Sequence, residues 1–479
     1  MCGTMKVLSI ETNTFHTNRD EHNFIMEENN QLTTKPIPKL VRKIAVPASV
    51  GFFFYTMFNL VDTYFGGLIS TDALAALSLS FPIFFIIISM GSGLATGATA
   101  VIASALGAGD PKQAKLYAIQ CITFGTIVAI FLTMFGLVIS PFLFPILGAT
   151  DDYLLSCLSY MNTIFVGTIF FILVYVFNSI LNSLGDTRSH RNFLMAGFFL
   201  NIILNPWFIY GGMGVPRLEI VGIGLATVVV QAVGSFYLGL RVVRSGLISN
   251  EWTKDVWPKL EAFKEIARQG FPASLNMISV GLGIFVITYF ISKFGKQAVA
   301  AYGIATRVEQ IVLLPTIGLN IATLTIVAQN NGARLFDRIK ETLSTALRYG
   351  GILMTFGAIV VFIFARYLML HFTKDLAVIE IGTTYLRISA FVLYAYVILY
   401  VNIAALQGMK KPNYAVLIGL FRQIVAPIVI FYMLIEIFSV GLTGIWWGIF
   451  SITWAAAVTT IFYARWKLKE VTGLSVVGL

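Results

Sequence analysis

The stretch IAVPASVGFFFYTMFNLVDTYFGGLI, residues Ile44 to Ile69, decides how the chain is read. It is long enough to cross the hydrocarbon of a bilayer as a helix, and Asp62 is its only charged residue. No basic residue lies within a helical turn to neutralise that acid. An ionised Asp at a helix centre costs about 2.5–3.5 kcal/mol on insertion scales, so an acid at that depth is a functional candidate by default.

The rest of the chain supplies the membrane. Of 479 residues, 57% are hydrophobic and 12% charged, with a mean hydropathy of +0.82, whereas soluble domains carry roughly 25% charged residues. Twelve apolar runs can be read, near Ile44 to Ile69, Ala73 to Gly109, Ala118 to Gly148, Tyr153 to Leu184, Asn192 to Gly214, Ile220 to Leu240, Phe271 to Ser292, Gln297 to Ala333, Tyr349 to Ala365, Ile388 to Met409, Asn413 to Ile435 and Val440 to Ala464. They are too long and too uniformly apolar for the alternating segments of a barrel. The expectation is an all-α integral membrane protein with twelve transmembrane helices.

Lys and Arg concentrate in every second loop, as in Lys112 with Lys115, Arg188 with Arg191, Arg241 through Arg268, Arg334 through Arg348, and Lys410 with Lys411. The positive-inside rule then places both termini in the cytoplasm. The same bias accounts for the net charge of +10, so no nucleic-acid partner is needed to explain it. Residues 1–35 are polar, without the apolar core of a signal peptide, and are expected to be a disordered tail. Cys2, Cys121 and Cys157 have no metal-ligand spacing. Nothing resembles a nucleotide-binding domain or an intramembrane His/Glu metal site, so neither an ATP-driven pump nor a membrane enzyme is expected.

The second half repeats the first. Pro47-Ala48-Ser49 returns as Pro272-Ala273-Ser274, and Thr63-Tyr64-Phe65 as Thr288-Tyr289-Phe290. The same register carries Gly93 to Gly318, Gly107-Ala108 to Gly332-Ala333 and Lys115 to Lys340. Six spans per half is an even number, which gives parallel repeats related by a pseudo-two-fold axis along the membrane normal. The domains expected are an N-terminal lobe over 36–244, a cytoplasmic linker over 245–264 with a possible interfacial helix, a C-terminal lobe over 265–466 and a short tail over 467–479. Such duplicated lobes are the pattern of a secondary transporter, with its site between halves that rock about it.

The repeat places Ile287 opposite Asp62, so the acid belongs to one lobe only. Desolvation disfavours the charged form of a carboxyl, which suits Asp62 to binding and releasing a proton; the alternative is a permanently protonated Asp62 that ties two helices together. Asn201 and Asn205 stand four apart on one helical face, and Pro206 frees a backbone carbonyl near Asn201 or Ile202. With Thr227 they are polar candidates in the first lobe, either as ligands or as interhelical glue. Pro47 and Pro206 are candidate bending points. The second lobe carries Arg307, Glu309, Arg422 and Gln423, a possible polar network that orders the lobe, or alternatively a second protonation site at Glu309. Matching Pro206 to Pro427 puts Arg422 where the first lobe has Asn201. Tyr55, Met57, Tyr175, Phe177, Asn178, Met277 and Tyr289 are candidates to line a cavity for flat cations.

Leu60-Val61-Asp62-Thr63, Leu184-Gly185-Asp186, Asn201 through Asn205-Pro206, Gly222 through Ala226-Thr227 and Gly444-Ile445-Trp446 resemble the multidrug and toxic compound extrusion family. The resemblance covers about Pro36 to Trp466. It implies a two-lobed exporter that exchanges inward H⁺ or Na⁺ for outward organic cations and amphiphilic drugs, with no other cofactor. It also implies that Asp62, Asn201, Asn205 and Thr227 form one ion-coupling cluster. The chain looks more like the DinF-like branch, because the seventh span around Asn276 to Phe285 lacks the acid of the NorM-like branch. Asn205 stands where many relatives have a second Asp, which favours the proton over Na⁺. The expected setting is the bacterial inner membrane, as a monomer. The competing reading is a flippase for a lipid-linked or other amphiphilic metabolite, which requires a more basic central cavity than the first lobe offers.

Overall fold

In lipid every backbone N–H and C=O must be satisfied within its own segment, so long apolar runs become helices. The computed structural model describes residues 31–248 and 252–472 and contains twelve helices long and apolar enough to cross a membrane. They are α1 (Ile37–Ile69), α2 (Thr71–Gly107), α3 (Pro111–Ile146), α4 (Asp151–Ser183), α5 (Arg188–Tyr210), α6 (Ile220–Arg244), α7 (Leu260–Ser292), α8 (Lys296–Gly332), α9 (Phe336–Leu370), α10 (Leu376–Gly408), α11 (Asn413–Ile437) and α12 (Gly441–Val471). Short polar caps separate them. The Ser70 hydroxyl accepts the Ala73 N–H at the start of α2, and Asp110 accepts the Gln113 N–H at the start of α3, just ahead of Pro111. Each satisfies a backbone donor that the helix itself cannot.

The helices form two six-helix lobes with separate cores. The lobes exchange a piece at one end. The first turns of α1, including Ile37, Leu40 and Ile44, are buried in the C-lobe core, while Ile266 at the start of α7 is buried in the N-lobe core. The small residues repeat this reciprocity. A Cβ on Gly93 of α2 would overlap Ser274 of α7, and one on Gly318 of α8 would overlap Ser49 of α1. Further along, Gly107 lies on the Gln329 carbonyl and Gly332 on the Ser104 carbonyl. Every one of these pairs maps onto another under the repeat, so the duplication read from the sequence is also a packing symmetry. Inter-lobe hydrogen bonds among the described residues lie at this same end, which carries the basic loops; Gln329 Nε2, for example, donates to the Ser183 carbonyl at 2.8 Å.

Three boundaries differ from the sequence expectation. Most of the tail assigned to 1–35 lies outside the described residues, but Gln31–Thr34 forms a helical turn. Leu32 is 2% exposed in the C-lobe core, because its carbonyl is taken by Asn330 Nδ2 at 3.1 Å and Arg338 Nη2 at 3.2 Å, while Arg338 also reaches the Lys35 carbonyl at 2.6 Å. The linker assigned to 245–264 ends early, since α7 begins at Leu260, and its described part holds one 3₁₀ turn, Trp252–Asp255. Gln120 of α3 anchors it by donating to the Asp255 and Trp257 carbonyls and accepting the Lys259 N–H. Finally, α12 runs to Val471, past the boundary at 466.

Candidate functional site

Asp62 lies in the second half of α1, beyond Pro47, where α5 and α6 pack beside it. The Oδ1 atom of Asp62 accepts from Asn201 Nδ2 and from Asn205 Nδ2, each at 2.9 Å. Thr227 Oγ1 lies 3.1 Å from Asp62 Oδ2 and 3.0 Å from the Ile223 carbonyl, so its single proton has two acceptors. The four-residue spacing of the two Asn residues brings both amides to one oxygen. Gly222 makes the approach of Thr227 possible, because any Cβ there would meet the backbone of Phe208 and Ile209 in α5. All four residues predicted for the first lobe thus meet in one cluster.

The cluster's chemistry is that of an ionised carboxylate with its donors in place, and it has a reserve. Asn201 and Asn205 are fully buried, and their carbonyl oxygens have no hydrogen-bond partner. An amide turned by half a revolution exchanges its N–H donors for its oxygen acceptor. A protonated Asp62 could therefore donate its O–H to either amide, and the same oxygens together with the carboxylate and Thr227 Oγ1 are the hard-ligand type that a small cation accepts.

The second lobe holds something different at the equivalent place, a cavity of about 190 Å³. Matching the helices by Pro206 with Pro427, and Gly222-Ile223-Gly224 with Gly444-Ile445-Trp446, sets Ala426 opposite Asn205 and Ile449 opposite Thr227. Ile287, Arg422 and Ile449 all line the cavity. Of the predicted polar network, Glu309, Arg422 and Gln423 are buried and line it, whereas Arg307 is exposed and does not. Arg307 and Glu309 are two residues apart on a helix and face different ways. The expected ion-pair network is not formed: Glu309 Oε2 accepts the Tyr385 hydroxyl at 3.2 Å, and the Arg422 guanidinium lies over the Tyr396 ring at 5.4 Å from its centroid.

A local change of helix type explains how consecutive residues share this cavity. Phe421–Val425 is a π-helical turn in which the Ala426 N–H bonds the Phe421 carbonyl, five residues back. Pro427 has no N–H to continue the ordinary ladder, and π turns of this kind recur at functional sites. Sequence reasoning missed the cavity's aromatic wall of Tyr302, Tyr385, Tyr396 and Tyr400. Tyr302 is the single aromatic of α8, whereas Tyr385, Tyr396 and Tyr400 share α10 with Phe391 and Tyr394, and only the convergence of the two helices marks the four. Among the aromatics it did propose, Tyr175 packs on Gly91 and Phe177 on Gly239. Asn178 is buried with an unpartnered carbonyl oxygen, Met57 and Met277 are half-buried, and Tyr289 is exposed. Tyr55 lines a small space inside the N-lobe.

The family model MatE matches residues 47–207 and 272–433, one block in each lobe and together more than half of the chain. A protein of Shewanella oneidensis named FAD transporter is 28% identical over 399 residues, spanning 83% of this chain and 88% of its own length. Multidrug export protein MepA of Staphylococcus aureus is 26% identical over 450 residues, spanning 92% and 97%. The solved structure of a MOP superfamily transporter from Pyrococcus furiosus superposes with a TM-score of 0.86 at 24% identity, over 92% of this chain and 98% of that one. At that identity the likeness concerns the fold alone.

Proposed function

The chain belongs to the MatE family of membrane transporters, and on that premise we propose that it exports organic cations or amphiphilic drugs in exchange for protons. Asp62 is the coupling carboxyl. The observation that carries this reading is the pair of buried, unpartnered Asn201 and Asn205 carbonyl oxygens beside a carboxylate that accepts both of their N–H groups. Such a cluster can be satisfied with the acid ionised or, after the amides turn, with the acid protonated. The two states differ in their hydrogen-bond pattern around the carboxyl, and coupling by differential affinity requires that substrate favour one of them. The curated relative named a multidrug export protein supports the substrate class.

With the basic loops taken as cytoplasmic, the end at which the lobes are in contact faces inwards, which supports an outward-facing form with both termini in the cytoplasm of a bacterial inner membrane. In this form Asp62 takes a proton from outside, α1 and α5 repack about Pro47 and Pro206, and substrate affinity falls. Deprotonation towards the cytoplasm restores the binding form. The titratable neighbours of Asp62 are Tyr55 on its own helix and Tyr160 on α4. A Na⁺ at the same oxygens is the competing coupling ion; the single carboxylate, with Asn205 in place of a second acid, favours the proton. The absence of an acid on α7 between Asn276 and Phe285 fits coupling confined to the N-lobe, as in the DinF-like branch. Two complete lobes make a monomer sufficient.

Dye efflux from proteoliposomes under separately imposed proton and sodium gradients tests the proposal. Proton-driven flux that disappears in folded Asp62→Asn is expected. Undiminished flux in that variant moves coupling elsewhere, flux driven only by sodium replaces the ion, and no flux of any cationic dye brings the flippase forward.

A further inference from the structure

Drug export driven at Asp62 makes no use of the C-lobe cavity, yet that cavity has the marks of a built site. Arg422 and Glu309 are 6% and 7% exposed, the only buried charged side chains among the described residues. A buried charge is tolerated when it is paired or used. Among the described residues Arg422 makes no salt bridge; its neighbours are the ring face of Tyr396 and the hydroxyls of Tyr396 and Tyr400. The second oxygen of Glu309, Oε1, is buried without a hydrogen-bond partner. Two groups of opposite sign therefore line one space, each with capacity left over.

The charges are not equivalent. A carboxyl can shed its charge by taking up a proton, whereas a guanidinium cannot in a protein, so the permanent charge of the cavity is positive. The fork of the guanidinium suits a planar carboxylate held by two parallel hydrogen bonds. The walls suit a ring: Tyr302, Tyr385 and Tyr396 converge on the space, backed by the fully buried Trp446, which stacks on Tyr302 at 6.0 Å and meets Tyr385 edge-on at 4.9 Å. Size sets a limit as well. An apolar cavity of about 150 Å³ takes one benzene, so about 190 Å³ holds a single ring and one small substituent. Ile284, which is exposed, marks the open side.

We infer that the C-lobe cavity is a binding site for a small aromatic carboxylate, with Arg422 holding the carboxylate, the tyrosines holding the ring, and Glu309 Oε1 accepting a donor on the ring's far side. The π turn of α11 is the device that builds it, since it delivers both Arg422 and Gln423 to the same space, and Gly283 of α7 lets Gln423 come close, because a Cβ there would meet its side chain. The site does not depend on which ion drives export.

Calorimetric titration of the full chain in detergent with benzoate, benzamide and benzylamine tests it without any transport assay. Benzoate is expected to bind, benzamide and benzylamine at least about tenfold more weakly, as befits loss of a charge-assisted hydrogen bond. Arg422→Gln is expected to weaken benzoate by about tenfold or more and to abolish the preference over benzamide. If Arg422→Gln does not fold, Ile284→Trp closes the open side without touching the charges and should remove benzoate binding on its own. No benzoate binding in the native chain, binding that both variants leave unchanged, or a preference for benzylamine over benzoate would each overturn the proposal. Efflux of a cationic dye, read in parallel, reports separately on the coupling reading.

Discussion

The two lobes descend from one repeat and agree where they touch, but they differ where they do chemistry. At the closed end, Gly93 on Ser274 is answered by Gly318 on Ser49, and Gly107 on Gln329 by Gly332 on Ser104. Away from that end, Asp62, Asn201, Asn205 and Thr227 correspond under the repeat to Ile287, Arg422, Ala426 and Ile449. One lobe has filled the position with an acid and its donors; the other has left a cavity with an arginine in its wall. Packing symmetry is thus kept where the lobes touch, and is broken at the carboxylate cluster of one lobe and the cavity of the other. The helices show the same split, since α5 runs as an uninterrupted α-helix through Pro206 while α11 carries two π turns around Pro427.

The sharpest way to break this comparison is to move the acid. Asp62→Asn is expected to bring proton-driven efflux to background. Adding Ile287→Asp should not restore it, because no amide pair waits there and the new carboxylate would share the cavity with Arg422 instead. Recovery of flux in the double variant would mean that the surrounding donors do not matter. A smaller effect tests the symmetric end: Gly107→Leu and Gly332→Leu should each cost about 1–3 kcal/mol of melting stability from overpacking, and by the same amount as each other. A large inequality would show that only one of the two contacts seals the lobes.

Thr227→Val keeps the shape and removes one donor shared with Asp62. Efflux should fall by about tenfold with the melting temperature nearly kept, given the worth of a hydrogen bond to a charged group; unchanged efflux would assign the hydroxyl to the Ile223 carbonyl alone. The mildest change is Tyr385→Phe, which leaves Glu309 without its hydroxyl donor. It should cost about 1 kcal/mol in stability and leave proton-coupled efflux intact, and a loss of coupling would move a proton step into the C-lobe.

Much of this was legible beforehand for a physical reason. Long apolar runs in a bilayer have one backbone solution, so the twelve helices follow from hydropathy, and the in-register repeat fixes two lobes. Asp62 was visible because it is the lone charge in its stretch, and Asn201 and Asn205 because a four-residue spacing puts them on one face. What escaped was whatever depends on convergence. Tyr302, Tyr385 and Tyr396 are unremarkable in a chain with 14% aromatic residues, and only a π turn puts Arg422 beside Gln423 in one space. Arg422 and Glu309 belong to the candidate polar network read from the sequence, yet their partners are tyrosines, Tyr396 and Tyr400 for the first and Tyr385 for the second. Leu32 was hidden in a polar tail, where one apolar side chain and two carbonyls are enough to dock a helical turn against Asn330 and Arg338.

The central claim, that the N-lobe carboxyl exchanges its proton against substrate, is tested most directly by counting protons. Purified protein in weakly buffered detergent would be titrated with a transported cation while a pH-sensitive dye follows the solution. By linkage, substrate that favours the ionised acid must displace its proton, so release approaching about one proton per substrate is expected in the native chain and in Glu309→Gln, and none in Asp62→Asn. Equal release from native and Asp62→Asn protein would contradict the account.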